Sequence, residues 1–160
     1  MCKFNDERLT VKKLSACLLA ATALTLTVPA SAQFSKPENA VKYRQSAMFM
    51  MAQNFSRVAG MSAGRIPFDA KVAADSAAVA EIMSKLPWDG FVPGTNVGQT
   101  KAKAEIWTNK AKFDENAKKM QAEMSKLAVA AKSGNLDAIK VAVAATGGAC
   151  KSCHDEFQAN

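Results

Sequence analysis

The sequence predicts an all-α protein, an antiparallel up-down-up-down four-helix bundle, on three observations. Of its 160 residues, 49% are hydrophobic and 22% charged, and only 8 Gly and 5 Pro interrupt the chain. Ala, Met, Lys and Glu are plentiful, which favours helix over sheet. Apolar residues recur at helical spacing in four segments, and the short breaks between them favour antiparallel neighbours.

Residues 1–32 have the pattern of a cleavable secretory signal peptide, which leaves residues 33–160 as the four-helix-bundle domain. A charged leader precedes an apolar stretch over residues 14–28, and Ala30-Ser31-Ala32 supplies a small-x-small cleavage site. An uncleaved membrane anchor is the less favoured alternative, because the apolar stretch is short for a transmembrane helix. We therefore expect export, most simply to a bacterial periplasm, with no membrane anchor after cleavage.

The first helix is predicted to begin after Ser35 and to run to about Ala59, where Gly60 ends it. Ser35 can cap the first turn, Pro37 suits a position whose N–H group has no helical partner, and Glu38 completes a capping box. The predicted apolar stripe of this helix consists of Val41, Met48, Met51, Phe55 and Val58.

A second helix begins near Asp69, a favourable N-cap residue, and runs to Leu86, because Pro87 cannot continue it. Its predicted apolar face consists of Val72, Val79, Met83 and Leu86. Glycines and prolines rule out regular structure over residues 87–103, which are predicted to form a long connection. A connection of this length in a compact domain is usually functional or wraps something.

A third helix is predicted over residues 104–132 and a fourth over residues 136–157, separated by Ser133-Gly134-Asn135. The apolar positions of the third helix alternate between spacings of four and three, which is typical of a left-handed packing seam. They are Phe113, Ala117, Met120, Met124, Leu127 and Ala131. One side of the fourth helix is lined by Ile139, Val143, Thr146, Cys150, Cys153 and Phe157.

The net charge of +7 raises the question of a nucleic-acid or membrane-surface partner. The lysines are spread along the chain and form no basic block, so they are better interpreted as a solvated surface. No nucleic-acid partner is therefore expected. No internal repeat or second domain is found in the sequence either.

The chemistry of the chain is concentrated in Cys150-Lys151-Ser152-Cys153-His154, a complete C-x-x-C-H motif. Two intervening residues match the distance between the porphyrin vinyl groups, to which the thiols of Cys150 and Cys153 add. His154 is then held under the ring, where its imidazole can bind iron as an axial ligand. We therefore predict one haem c, covalently attached through both cysteines.

A disulfide between Cys150 and Cys153 and a metal site are alternative interpretations of this motif. A structural zinc site needs about four protein ligands, whereas residues 33–160 contain two cysteines and one histidine. A redox disulfide is expected near a βαβ pattern, and the sequence predicts no strands. The single histidine of the chain stands where haem attachment requires it.

Three residues of the first helix are candidates for contact with such a haem. Arg44 and Met48 are four positions apart and share one face of the helix. Arg44 can pair with a haem propionate, and Gln45 can reach the ring edge. Met48 can cover the haem face opposite His154 or bind the iron through sulfur. The alternatives are a solvated charge for Arg44 and ordinary core packing for Met48.

Several stretches of residues 33–160 carry a resemblance to a known family. They are Lys42-Tyr43-Arg44-Gln45-Ser46-Ala47-Met48, Leu86-Pro87-Trp88, Phe91-Val92-Pro93-Gly94-Thr95, Glu105-Ile106-Trp107 and the C-terminal C-x-x-C-H motif. This pattern resembles cytochrome c′, the class II cytochromes c, whose members are four-helix bundles. The resemblance implies a high-spin, five-coordinate iron with His154 as the proximal ligand. It places Arg44 and Gln45 at the haem edge, and Met48 at the distal position.

The resemblance also implies a homodimer formed mainly through the first two helices, and roles in electron transfer and in binding nitric oxide or carbon monoxide. Two departures concern the proximal side of the haem. Gln158 stands where family members commonly have a basic residue, and Phe157 stands where Tyr is frequent. A missing proximal cation changes the local field, which leaves the behaviour of the proximal ligand open.

We therefore expect a periplasmic haem protein that carries one electron or binds a small gas, without catalysing a reaction of its own. Its expected partners are redox proteins, diatomic gases and a second copy of the chain. The alternative is a low-spin, six-coordinate electron carrier with Met48 or Met51 as a second axial ligand. A peroxidase or nitric-oxide reductase is disfavoured, because no distal acid–base group is evident. A structural bundle held by a disulfide is the last option.

Overall fold

The computed structural model describes residues 33–159, which form four long helices and one short helix. In chain order these are α1 (Pro37–Ser62), α2 (Ala70–Met83), α3 (Glu105–Thr108), α4 (Lys110–Lys132) and α5 (Leu136–Phe157). Helix α1 packs on α2, α2 on α4, α4 on α5 and α5 on α1, which closes the four long helices into a bundle. The predicted all-α four-helix bundle is therefore confirmed.

The predicted signal peptide over residues 1–32 lies outside the described residues. Within residues 33–159, no helix combines the length and the apolar character needed to span a membrane. The same part of the chain contains no strand, and its only β pairing is an isolated antiparallel bridge between Ala102 and Gln158. The bundle is thus built from helices and their connections alone.

Helix α1 begins later than its predicted capping box. Its N-cap residue is Lys36, which makes no side-chain cap hydrogen bond. The Ser35 hydroxyl instead accepts a hydrogen bond of 3.0 Å from Asn39 Nδ2. The predicted capping by Ser35 is therefore wrong, because Pro37 occupies the first helical position, where its fixed φ and missing N–H group suit the helix start.

Helix α2 has the predicted N-cap but a different buried face. The Asp69 carboxylate accepts a hydrogen bond of 2.9 Å from the Val72 backbone N–H, as predicted. The predicted apolar face is wrong at Val72 and Leu86, which are more than a third exposed, whereas Val79 and Met83 are partly buried. The buried positions of α2 are small residues, which allow a close approach to α1 and α4, and they are Ala73, Ser76, Ala77 and Ala80.

The third predicted helix is divided in the structure. Asn109, with φ −123° and ψ 51°, separates α3 from α4. Trp107 of α3 is tied to the connection before it, since its indole N–H donates to Phe91 O at 3.2 Å and to Val92 O at 3.0 Å. The predicted seam of α4 and the bounds of α5 are both confirmed.

The core consists of two hydrophobic clusters. The bundle cluster joins all four long helices, and its most buried large side chains are Val58, Met124, Leu127 and Ile139. The aromatic cluster lies at the other end, and its buried members are Phe91, Ile106, Phe113 and Phe157. Phe113 packs edge-on against Trp88, Phe91 and Phe157, with ring centroids 4.9 to 5.6 Å apart.

Leu127→Ala is expected to lower the free energy of unfolding by about 2–5 kcal/mol, because it opens a void in the bundle cluster. Urea denaturation followed by helical circular dichroism measures this change. Val129 lies on the same helix and is 73% exposed. Val129→Ala, the matched control, is expected to change the free energy by less than about 0.5 kcal/mol. Equal losses in the two variants would contradict the assignment of the core.

Candidate cofactor site

A cavity of about 550 Å³ lies where the bundle cluster and the aromatic cluster meet. Its size falls within the range of cofactor pockets. Most of the side chains that line it are apolar, including Met51, Phe55, Trp88, Phe91, Ile106, Phe113, Met120, Met124 and Phe157. The site therefore offers an extended apolar surface, bounded by α1, α4, α5 and the connection between α2 and α3.

One wall of the cavity carries the whole C-x-x-C-H motif. Cys150, Cys153 and His154 share one side of α5, because residues three and four apart on a helix are neighbours. Cys150 and Cys153 form no disulfide and are half-buried, and His154 is exposed. The helix runs unbroken through this region, so the backbone holds the two thiols and the imidazole in a fixed arrangement.

The environment of the two thiols favours their neutral form. Burial raises the pKa of Cys150, and it raises the pKa of Cys153 to about 11, with smaller effects from Cys150 and Glu156. Zinc binding and thiol–disulfide exchange both use the thiolate, which such a site disfavours. The zinc and redox-disulfide interpretations therefore gain no support from the chemistry of this wall.

Arg44 lies in the opposite wall, but its terminal nitrogens bind protein rather than solvent. Nη1 donates to Gly90 O at 2.7 Å and to Thr95 Oγ1 at 2.9 Å. Nη2 donates to Thr95 O at 2.9 Å and to Thr100 Oγ1 at 3.1 Å. The side chain is 2% exposed, and its guanidinium carbon lies 4.6 Å from the centroid of the Phe91 ring.

Burial lowers the pKa of Arg44, yet arginine stays charged in proteins. The interpretation of Arg44 as a solvated surface charge is therefore wrong. Its guanidinium anchors the connection that closes one side of the cavity. The sequence did not predict the partners of Arg44, because Gly90, Thr95 and Thr100 are about fifty positions away and carry no signal of this pairing.

Gln45 and Met48 also line the cavity, as the sequence predicted. The Gln45 Nε2 donates to Gln99 O at 2.8 Å, so this side chain is a second tie between α1 and the connection. Met48 is half-buried and packs against both hydrophobic clusters. Met48 therefore both lines the cavity and packs in the core. A role over the haem and ordinary core packing, the two alternatives predicted for this residue, do not exclude each other.

Gly90 allows α1 and the connection to approach each other closely. A Cβ atom at this position would lie 2.8 Å from Ala40 O and 2.9 Å from the Arg44 Cβ. Real Cβ atoms essentially never approach other heavy atoms this closely, so glycine is the residue that fits this turn. The 3-10 turn Pro87–Gly90 is thereby held against α1, directly beside the cavity.

The residues present fit a haem. Two thiols are placed for covalent attachment, an imidazole follows them for the iron, and apolar side chains surround the space for a flat macrocycle. The sequence motif predicted the thiols and the imidazole. The sequence did not identify the aromatic cluster around Phe113 as part of the site, although Trp88 and Phe91 stand in stretches that carry the family resemblance.

Comparison with known proteins identifies the family. A family model described as "Cytochrome C'" matches residues 39–158. The chain belongs to the cytochrome c′ family. Cytochrome c′ from Rubrivivax gelatinosus is 50% identical over 127 residues, which cover 79% of this chain and 98% of that protein. The crystal structure of the Rubrivivax protein aligns with a TM-score of 0.77 at 49% identity, over 79% of this chain and 100% of that chain.

A further similar structure is the nitric oxide complex of a leucine-to-alanine variant of cytochrome c prime from Alcaligenes xylosoxidans. It aligns with a TM-score of 0.75 at 40% identity, over 80% of this chain and 99% of that chain. The predicted family is thus confirmed. As a member of the cytochrome c′ family, the chain carries one haem c, attached covalently through Cys150 and Cys153.

Arg44→Met is expected to lower the free energy of unfolding by at least about 2 kcal/mol, because it leaves buried carbonyl groups of the connection without a donor. Urea denaturation of the haem-loaded protein measures the loss. Arg57 of the same helix makes one bond, of 3.3 Å to Ser76 Oγ, and is exposed. Arg57→Met is expected to cost less than about 0.5 kcal/mol. A loss at Arg44 no greater than this control would show that the connection does not depend on the guanidinium.

Proposed function

We propose that the protein is a periplasmic cytochrome that transfers single electrons and binds nitric oxide or carbon monoxide at a five-coordinate haem iron, with His154 as the proximal ligand. The observation that carries this proposal is the placement of Cys150, Cys153 and His154 on one wall of an apolar cavity. Another wall is formed by α1, whose half-buried side chains Met48 and Phe55 both line the cavity.

Haem iron supplies one-electron chemistry and a coordination position for a small ligand. The residues of the chain determine how that chemistry is used. Cys150 and Cys153 hold the macrocycle, and His154 binds the iron from the α5 side. Phe113 and Met124, both buried, exclude water from the space beside it. Met48, on the α1 wall of the cavity, would offer the bound haem an apolar thioether, which would accommodate water poorly and would leave room for a diatomic ligand only by moving aside.

Several observations support gas binding and electron transfer together. The nitric oxide complex among the similar structures belongs to a relative of the same family. Among the residues lining the cavity, His154 is the only histidine, so the site lacks the distal imidazole that peroxide chemistry commonly uses. Gln45, Phe49 and Lys101 are exposed at the cavity wall, which leaves one side accessible to a redox partner protein.

Export to the periplasm is supported by the signal-peptide pattern of residues 1–32. The same chain also carries the C-x-x-C-H motif to which a haem is attached, and the two features together fit an exported cytochrome. Removal of this segment leaves residues 33–160, which include the whole range 39–158 that the family model matches. We propose that the mature protein begins at Gln33 and acts without an anchor.

The second candidate is a low-spin electron carrier with a methionine as the sixth ligand. Met48 and Met51 both line the cavity. Met51 is 7% exposed and belongs to the bundle cluster, so it has less freedom to move than the half-buried Met48. Met48 is therefore the better candidate of the two, and a single substitution separates the two functions.

The visible spectrum of the purified protein tests the proposal. A Soret band is expected to survive acid–acetone extraction, because the haem is covalently attached. The dithionite-reduced protein is expected to show a broad α/β region, as an open sixth position requires. Met48→Leu is expected to leave this spectrum unchanged.

Met48→Ala is expected to increase carbon monoxide affinity by about tenfold, because relief of steric overlap is worth roughly 1–3 kcal/mol.

Sharp reduced α and β bands that broaden in the Met48→Leu variant would instead establish methionine ligation and the electron-carrier function. Loss of the Soret band on extraction of the unmodified protein would contradict covalent attachment. Met51→Leu serves as the matched control, since it changes the other methionine of the same helix, which also lines the cavity. Its reduced spectrum is expected to match that of the unmodified protein.

We propose that the protein forms a homodimer through α1 and α2. Both helices expose large apolar side chains outside the cavity: Met50 is 45% exposed, Val72 38% and Ile82 55%. Burial of such side chains against a second copy removes apolar surface from water and stabilises the association. The exposed apolar residues of α4 and α5, Val129 and Val141, offer an unrelated surface for comparison.

Ile82→Glu is expected to raise the dissociation constant of the dimer at least tenfold, because an unpaired carboxylate in an apolar interface costs more than about 1.4 kcal/mol. Sedimentation equilibrium over a range of concentrations measures this constant. Val129→Glu introduces the same charge on α4 and is expected to leave it unchanged. If Val129→Glu weakens the dimer as much as Ile82→Glu does, the assignment of the dimer interface to α1 and α2 is wrong.

A further inference from the structure

The C-terminal end of α5 is capped from another part of the chain. The last four carbonyl groups of a helix have no partner within it. In α5 these belong to His154, Asp155, Glu156 and Phe157. Gln158 N–H donates to the first of them at 3.0 Å, and the Lys103 ammonium donates to the second and third at 3.2 Å each. The Lys103 backbone N–H donates to the fourth at 3.0 Å.

Lys103 thus satisfies three of the four terminal carbonyls, although it lies about fifty residues earlier in the sequence. Its neighbours reinforce the contact. Ala159 N–H donates to Lys101 O at 2.8 Å, and Ala102 forms the antiparallel bridge with Gln158. The segment 101–103 is therefore paired along the chain that leaves α5, immediately after the turn that carries His154.

The charge of Lys103 is directed at the end of the helix and not at a carboxylate. A helix carries partial negative charge at its C-terminal end, and a cation there is stabilising. The two nearby carboxylates have other partners, since Asp155 pairs with Lys151 at 2.6 Å and Glu156 accepts from Asn116 Nδ2 at 3.2 Å. Gln158 brings no charge to this end of α5. The Lys103 ammonium is thus the cation that contacts the final carbonyls.

We propose that Lys103 is a positioning residue for the proximal ligand: it fixes the last turn of α5, and hence His154, and offsets the negative end of the helix beside the iron. This inference rests on the proposed function, in which His154 binds the haem iron. The oxidised haem carries one more positive charge than the reduced haem. Removal of the Lys103 charge therefore favours the oxidised form and lowers the reduction potential.

The test compares haem-loaded Lys103→Gln with Lys151→Gln. Both substitutions remove one lysine charge near His154, but the Lys151 side chain is 76% exposed and binds only the Asp155 carboxylate. At a fixed solution potential, Lys103→Gln is expected to lower the ratio of reduced to oxidised protein about threefold. This magnitude follows from the stabilisation that one charge contributes at a helix end. That ratio corresponds to ~28 mV at 59 mV per tenfold change.

Amide hydrogen exchange supplies a second readout that charge alone does not move. The Gln158 N–H, bonded to His154 O, is expected to exchange at least tenfold faster in Lys103→Gln, by roughly the strength of the lost cap. Its exchange is expected to stay unchanged in Lys151→Gln. Lys103→Arg keeps a cation at the helix end and is expected to retain both the potential and the slow exchange.

Equal potential shifts in the two glutamine variants, or slow Gln158 exchange in Lys103→Gln, would overturn the positioning role while leaving the proposed function intact. An unmodified protein whose Soret band is lost on acid–acetone extraction would overturn the proposed function itself. Failure of the positioning role is therefore observed in the lysine variants, whereas failure of the proposed function is observed in the unmodified protein.

Discussion

The buried guanidinium of Arg44 is the interaction on which the rest of the site depends. The connection between α2 and α3 has little regular structure, so its carbonyl groups cannot satisfy one another as those of a helix do. Arg44 donates hydrogen bonds to two of these carbonyls and to two threonine hydroxyls of the connection, and it stacks on Phe91. Gly90 lets the turn approach closely enough for these bonds to form. With the connection held in this way, one side of the bundle can stay open without collapse.

The cavity follows from how the core is divided. A bundle packed from one end to the other would leave no space for a cofactor. Here the small residues of α2 let it pack closely on both α1 and α4 at the bundle cluster, while the aromatic cluster around Phe113 closes the other end. The side chains at the boundary, Met48 among them, pack against both clusters. A macrocycle attached to α5 thus becomes part of the core rather than an addition to it.

Local signals predicted well what is local in the fold. The C-x-x-C-H motif placed its thiols and imidazole on one wall, and the Asp69 cap and the α4 seam were correct because each depends on neighbouring residues. The break at Asn109 and the face of α2 were missed. Trp107 is held by carbonyls of an earlier connection, and the alanines of α2 are buried by partners that the sequence does not reveal. The anchoring role of Arg44 was missed for the same reason, since its acceptors are distant.

The connection between α2 and α3 is tied to two walls of the cavity. Arg44 binds Gly90, Thr95 and Thr100 of the connection to α1, the helix of Met48. Lys103, near the end of the connection, binds the end of α5, the helix of His154. Both ties use a cation with backbone carbonyls as acceptors, and such charge-assisted bonds are stronger than neutral ones. One continuous segment of the chain therefore joins the helix that carries Met48 to the last turn of the helix that carries His154.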